Sequence, residues 1–175
     1  MSHLSVSRAF KWASLLLMLV FLRISVPAQT GSSADLLQHV DPFIGTAGHG
    51  HVFLGANVPY GAVQLGPSNI MQTWDKFNGW DWCSGYNYIS KEILGFTHTH
   101  LSGTGIGDLN DILVLPANGK AMLRPAKFNN MNSGYGSGFS HEKEKCSPGF
   151  YSVHLDKYNV DARLTTSARV GFHEY

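Results

Sequence analysis

Phe150-Tyr151-Ser152-Val153-His154-Leu155, followed at once by Val160-Asp161-Ala162-Arg163-Leu164-Thr165-Thr166, decides the fold. Both runs alternate apolar and polar residues, the period of a strand with one buried and one wet face. Residues 169–175 repeat the pattern and stop in mid-strand, so the sequence predicts a domain cut short at Tyr175. Working back, residues 140–145 read as an exposed edge strand whose charges discourage pairing with a second chain. The Asn-, Ser- and Gly-rich residues 128–139 read as a loop, 121–124 as a weak strand and 111–115 as a short buried one. Gly61-Ala62-Val63-Gln64-Leu65 reads as the first clear strand, closed by Gly66-Pro67, with residues 68–78 as a polar loop. After the N-terminal region no segment holds a helical period for three turns. Short strands between turn signals predict an all-β protein, an antiparallel β-sandwich.

Export is expected from the N-terminus. Arg8 and Lys11 supply a positive region, residues 12–22 an apolar core, and Val26-Pro27-Ala28 a small-residue cleavage site after Ala28. The apolar run is shorter than the ~20 residues of a membrane span, so no span is expected in the mature chain. The sequence thus divides into a signal peptide (1–28), a tether (29–38) and one sandwich domain (39–175). Thirteen Lys plus Arg against twelve Asp plus Glu leave a formal charge of +1. No basic stripe forms, which excludes a nucleic-acid partner and favours a neutral polar one such as a sugar. Cys83 and Cys146 could pair in an exported chain or remain buried thiols.

The chemistry is concentrated between Gly79 and Pro116. Trp80-Asp81-Trp82, placed on a strand, would put both indoles on one face and the carboxylate on the other. That arrangement suits a sugar platform, with the rings against C–H bonds and Asp81 accepting from hydroxyls; core packing is the competing reading. His98-Thr99-His100 and His49-Gly50-His51 each place two imidazoles two residues apart, and four histidines could hold a metal. No glutamate follows at cupin spacing and no His-Glu-x-x-His is present, so hydrogen-bonded histidines in a polar wall are favoured. Gly103-Thr104-Gly105-Ile106-Gly107-Asp108 lacks the third glycine of a dinucleotide loop and the Lys-Ser or Lys-Thr of a P-loop. It reads as a tight turn presenting Asp108, and Asp111 as a turn cap rather than half of an acid–base pair.

These residues carry a family resemblance. Val40-Asp41-Pro42-Phe43-Ile44-Gly45-Thr46, Gly48-His49-Gly50-His51, Pro59-Tyr60-Gly61, Trp82-Cys83-Ser84-Gly85-Tyr86 and the run from Gly95 to Gly105 together resemble the N-terminal domain of glycoside hydrolase family 92. Lys145-Cys146-Ser147-Pro148-Gly149-Phe150-Tyr151 and Arg169-Val170-Gly171-Phe172-His173 resemble it as well. The resemblance implies an exo-acting, calcium-dependent, inverting α-mannosidase exported by bacteria and acting on N-glycans or mannans. It implies a β-sandwich paired with an (α/α)6 barrel, with the acid, the base and the Ca2+ ligands in the barrel and therefore outside this chain. The sandwich would supply a wall of the sugar pocket. Trp82 falls on the motif for that role, and Trp80, Asp81, Cys83, His100 and Asp108 are expected beside it. On this reading the partners are a mannose-containing glycan and the barrel, and the chain alone is inactive. A stand-alone carbohydrate-binding sandwich is the alternative, and a histidine metal site a third.

Overall fold

The computed structural model describes residues 36–69, 79–107, 109–127 and 130–175. The expected signal peptide, most of the expected tether, most of the expected 68–78 loop and Asp108 lie outside the described residues. Among those described, nine strands form: β1 (Ala56–Asn57), β2 (Gln64–Ser68), β3 (Glu92–Ile93), β4 (Gly95–Thr97), β5 (Ser137–Gly138), β6 (Lys145–Ser147), β7 (Phe150–Leu155), β8 (Val160–Thr166) and β9 (Gly171–Glu174). They make three sheets, ordered β1-β2-β4, β3-β5 and β6-β7-β8-β9. Every pairing between named strands is antiparallel. The chain is an antiparallel β-sandwich, as its alternation predicts. No helix among the described residues is long and apolar enough to cross a membrane.

β7 and β8 show why alternation was the deciding signal. Tyr151 lies opposite Leu164 and Val153 opposite Ala162, and all four are buried. Ser152 faces Arg163 across the same ladder and both point away from the core. The inward residues join Leu54, Leu65, Ile93 and Phe96 in one apolar cluster. Burying a large side chain of this kind contributes roughly 1.5–3 kcal/mol. Pro148 and Gly149 make the two-residue link from β6 to β7, and Gly149 takes the positive φ of +78° that such a turn needs at its second position.

Five expectations are corrected. β2 does not close at Gly66-Pro67 but runs through them to Ser68. Gly66 is needed there because a Cβ would sit 2.1 Å from the Leu54 carbonyl oxygen. Pro67 is tolerated because Phe96, its register partner, directs its own N–H and C=O to Val114 instead. Residues 111–115 are not a buried strand: only Val114 bridges to Phe96, and Ile112 is 71% exposed. Positive φ angles at Leu109, Asn110 and Ile112 break the extended geometry that a ladder requires. Residues 121–124 form no named strand, and Leu123 is 91% exposed. Residues 140–145 are not an edge strand either; Ser140 caps a 3-10 turn at His141–Lys143, and β6 begins only at Lys145. Within 128–139, expected to be loop throughout, β5 forms and pairs with β3.

Candidate functional site

Three motifs that are far apart in sequence meet in space. The first is Gly48-His49-Gly50-His51. Its turn folds back on Gly45, whose carbonyl accepts from Val52 N–H at 3.1 Å. Gly50 is obligatory, since a Cβ there would lie 2.0 Å from the Gly45 oxygen. His51 is held at a φ of +52°, an uncommon backbone for a non-glycine residue. The second motif, Trp80–Trp82, is a 3-10 turn and not a strand. At three residues per turn, positions 80 and 82 diverge instead of sharing a face. Trp82 turns inward, is 7% exposed and donates from Nε1 to Ser90 Oγ at 2.7 Å. Trp80 stays 38% exposed. The expected double platform is therefore a single exposed indole above a buried one.

Asp81, between them, reaches both histidines of the first motif. Its Oδ1 lies 2.6 Å from His49 Nδ1 and 3.3 Å from His51 Nε2. The Trp80 ring meets His51 edge-on with centroids 4.1 Å apart and lies 5.5 Å from His49. Buried Asn87 clamps the two motifs, its Nδ2 donating to the carbonyls of Gly48 and Asp81 at 3.2 Å each. Asn87 was not singled out from sequence, because nothing in Tyr-Asn-Tyr distinguishes a clamp from a loop residue. The third motif is the glycine turn. Gly103 N–H donates to His51 O at 2.7 Å, and Gly105 packs so closely that a Cβ would lie 2.7 Å from Trp80 Nε1. The turn thus seats the imidazole–indole cluster.

The remaining expected site residues fall elsewhere. Cys83 is buried and donates from Sγ to Thr104 O at 2.8 Å; burial pushes its thiol pKa up, so it is not poised as a thiolate. Cys83 and Cys146 are both free thiols. His100 is 5% exposed, and burial lowers its pKa to about 4. The neutral ring donates from Nδ1 to Ser84 O at 2.8 Å and accepts at Nε2 from Thr97 Oγ1 at 2.9 Å. Both ring nitrogens are thus bonded inside the domain. His98 points away from it, with Nδ1 on Ile112 O and Nε2 3.0 Å from His173 Nε2. The four histidines do not converge; only His49 and His51 share a partner. Asp111 and Thr99 bond each other reciprocally, a turn cap. Asp108 lies outside the described residues. A groove of about 450 Å³ between Glu142, Lys145, His154 and Arg163 shares no residue with the cluster.

Fold and loops together define a β-sandwich that carries an indole, two imidazoles and a carboxylate on its connecting segments. The chain belongs to the glycosyl hydrolase family 92 N-terminal domain, whose sequence model matches residues 39–175. A family 92 α-mannosidase of Bacteroides thetaiotaomicron, solved in complex with mannoimidazole, superposes with a TM-score of 0.73 at 40% identity, covering 79% of this chain and 17% of that one. The same enzyme solved without that compound gives 0.72 at 40% identity, over 79% of this chain and 18% of its own. An uncharacterized secreted glycosidase of Arthroderma benhamiae is 35% identical over 71 residues, 41% of this chain and 8% of that protein. The chain thus spans less than a fifth of the length of these relatives.

Proposed function

We propose that this domain forms one wall of the sugar pocket of an exported, inverting α-mannosidase, with exposed Trp80 and the neighbouring His49 and Asp81 facing a mannose-containing glycan. The observation that carries the reading is the exposed indole beside a carboxylate, on a domain 40% identical to the matching part of a mannosidase solved in complex with mannoimidazole. An aromatic face takes the apolar C–H side of a sugar ring, and a carboxylate accepts from its hydroxyls. Contacts away from the scissile bond raise the rate where they strengthen in the transition state.

On this proposal the acid and base come from another part of the enzyme, because inversion needs two carboxyl groups roughly 6.5–9.5 Å apart with a water between them. The exposed apolar residues Ile106, Leu109, Ile112 and Leu113 are the surface we assign to contact with that part. Calcium dependence is likewise assigned to it. Ca2+ takes six to eight oxygen ligands, and two of the three donors in the His49–His51–Asp81 group are nitrogens, so these residues do not suit it. Export fits the secreted description of the fungal relative.

The test is direct. The 175-residue chain, incubated with 4-nitrophenyl α-mannoside and with mannobiose, is expected to release no mannose above the blank. Turnover that disappears in Asp81→Ala would overturn the division of labour.

A further inference from the structure

His49, His51 and Asp81 offer two imidazole nitrogens and one carboxylate oxygen, all within 4.8 Å of one another. We propose that they bind a transition-metal ion of the Zn2+ type. The donor set decides the class of ion: imidazole nitrogen with one carboxylate suits Zn2+ and its first-row neighbours and not the hard alkaline-earth ions. The spacing fits as well. His51 Nε2 and Asp81 Oδ1 are 3.3 Å apart, close to the edge of a tetrahedron built on bonds of about 2.0–2.1 Å. His49 Nδ1 sits nearer, at 2.6 Å from the same oxygen. Its side chain is 75% exposed, so the ring is free to swing out by the ~0.7 Å that an ion between them requires.

Two of the three ligands are held before any ion arrives. His51 is 6% exposed, with its carbonyl pinned by Gly103 N–H and its ring braced edge-on by Trp80. Asp81 is fixed through its own carbonyl by Asn87, which also holds Gly48 beside His49. Outer contacts of this kind set ligand orientation in protein metal sites. A site of three protein ligands with its third on the exposed side keeps a fourth position open to water or to a hydroxyl, as catalytic and ligand-binding zinc sites do. A bare His49–Asp81 ion pair is the competing explanation, and it does not require His51 to converge on the same oxygen.

The experiment uses the full chain with no glycan present, so its outcome is separate from that of the sugar reading. The protein is stripped with chelator, titrated with ZnCl2 by calorimetry and assayed for bound metal. Co2+ is added in parallel as a reporter of coordination geometry. One Zn2+ per chain, a visible Co2+ band of tetrahedral or five-coordinate character and a raised thermal midpoint on metal addition are the expected results. His49→Ala, changing a largely exposed ring, is expected to weaken Zn2+ binding by well over ~10-fold while the metal-free thermal midpoint stays in place. His154→Ala, which removes a histidine paired with Asp161 at 2.7 Å, is expected to leave binding unchanged. Absence of stoichiometric zinc, or binding that survives His49→Ala, overturns the proposal.

Discussion

Two carboxylates in this domain each hold a histidine at 2.6 Å, yet they do opposite work. Glu144 is buried, its side chain 1% exposed, and accepts from Tyr86 OH at 3.0 Å, Tyr151 OH at 2.7 Å and His141 Nδ1. Its partners come from the 84–90 segment, from β7 and from the 3-10 turn at His141–Lys143, so one side chain ties three segments together. Burial followed by the nearby Glu144 charge pushes both phenol pKa values up, which keeps them as donors. Asp81 is part-exposed, and both of its histidines fall on a single oxygen. Saturated with donors inside the core, a carboxylate fixes the fold; gathered with imidazoles at the surface, it is available to a ligand.

The largest effect that would sharpen this contrast is Glu144→Ala. It leaves two buried phenols without their acceptor, at about 1–3 kcal/mol for each unsatisfied group. Urea unfolding should show a loss of about 3 kcal/mol or more, with Glu144→Gln losing less because an amide oxygen remains to accept. A loss below about 1 kcal/mol would break the contrast. The next effect is set by pH. Burial lowers the His100 pKa to about 4 from an unfolded value near 6.5, so the unfolded chain takes up the proton first. Stability from this group is level above about pH 6.5, falls by about 3 kcal/mol as pH drops to about 4, and levels off below. Urea midpoints measured across that window should show the slope, and His100→Asn should flatten it. The smallest effect belongs to Asp81→Asn, expected to cost under about 1 kcal/mol because the pair is partly solvated. A cost matching that of Glu144→Ala would place Asp81 in the scaffold.

The contrast also explains what could be read from the sequence. Alternation in Phe150–Leu155 and Val160–Thr166 exposed the sandwich, because strand period is a local property of the chain. The run from Trp80 to Asp108 and the Gly-His-Gly-His turn were visible as chemistry, and the family resemblance followed from them. Which indole faces outward was not legible. A strand and a 3-10 turn write the same Trp-Asp-Trp, and only the Ser90 contact, eight residues away, settles that Trp82 goes inward. Glu144 was hidden for the same reason: His-Glu-Lys-Glu-Lys reads as a charged edge, and its burial depends on Tyr86, 58 residues distant. The convergence of His49 and His51 on Asp81 is a tertiary fact that no spacing within either motif contains. The apolar stretch at 111–115 misled because apolar composition predicts burial, whereas the positive φ angles at Leu109, Asn110 and Ile112 break its strand and leave Ile112 exposed.

The central claim is that the sugar-facing indole is Trp80 and not Trp82, and indole N–H resonances test it most directly. The 15N-labelled chain is titrated with an α-mannobiose, and the Trp80 and Trp82 signals are assigned with Trp80→Phe and Trp82→Phe. The account predicts that the Trp80 signal shifts in a saturable way while the Trp82 signal, tied to Ser90 in the core, stays fixed. A titration that moves Trp82 and leaves Trp80 in place, or moves neither, would contradict it.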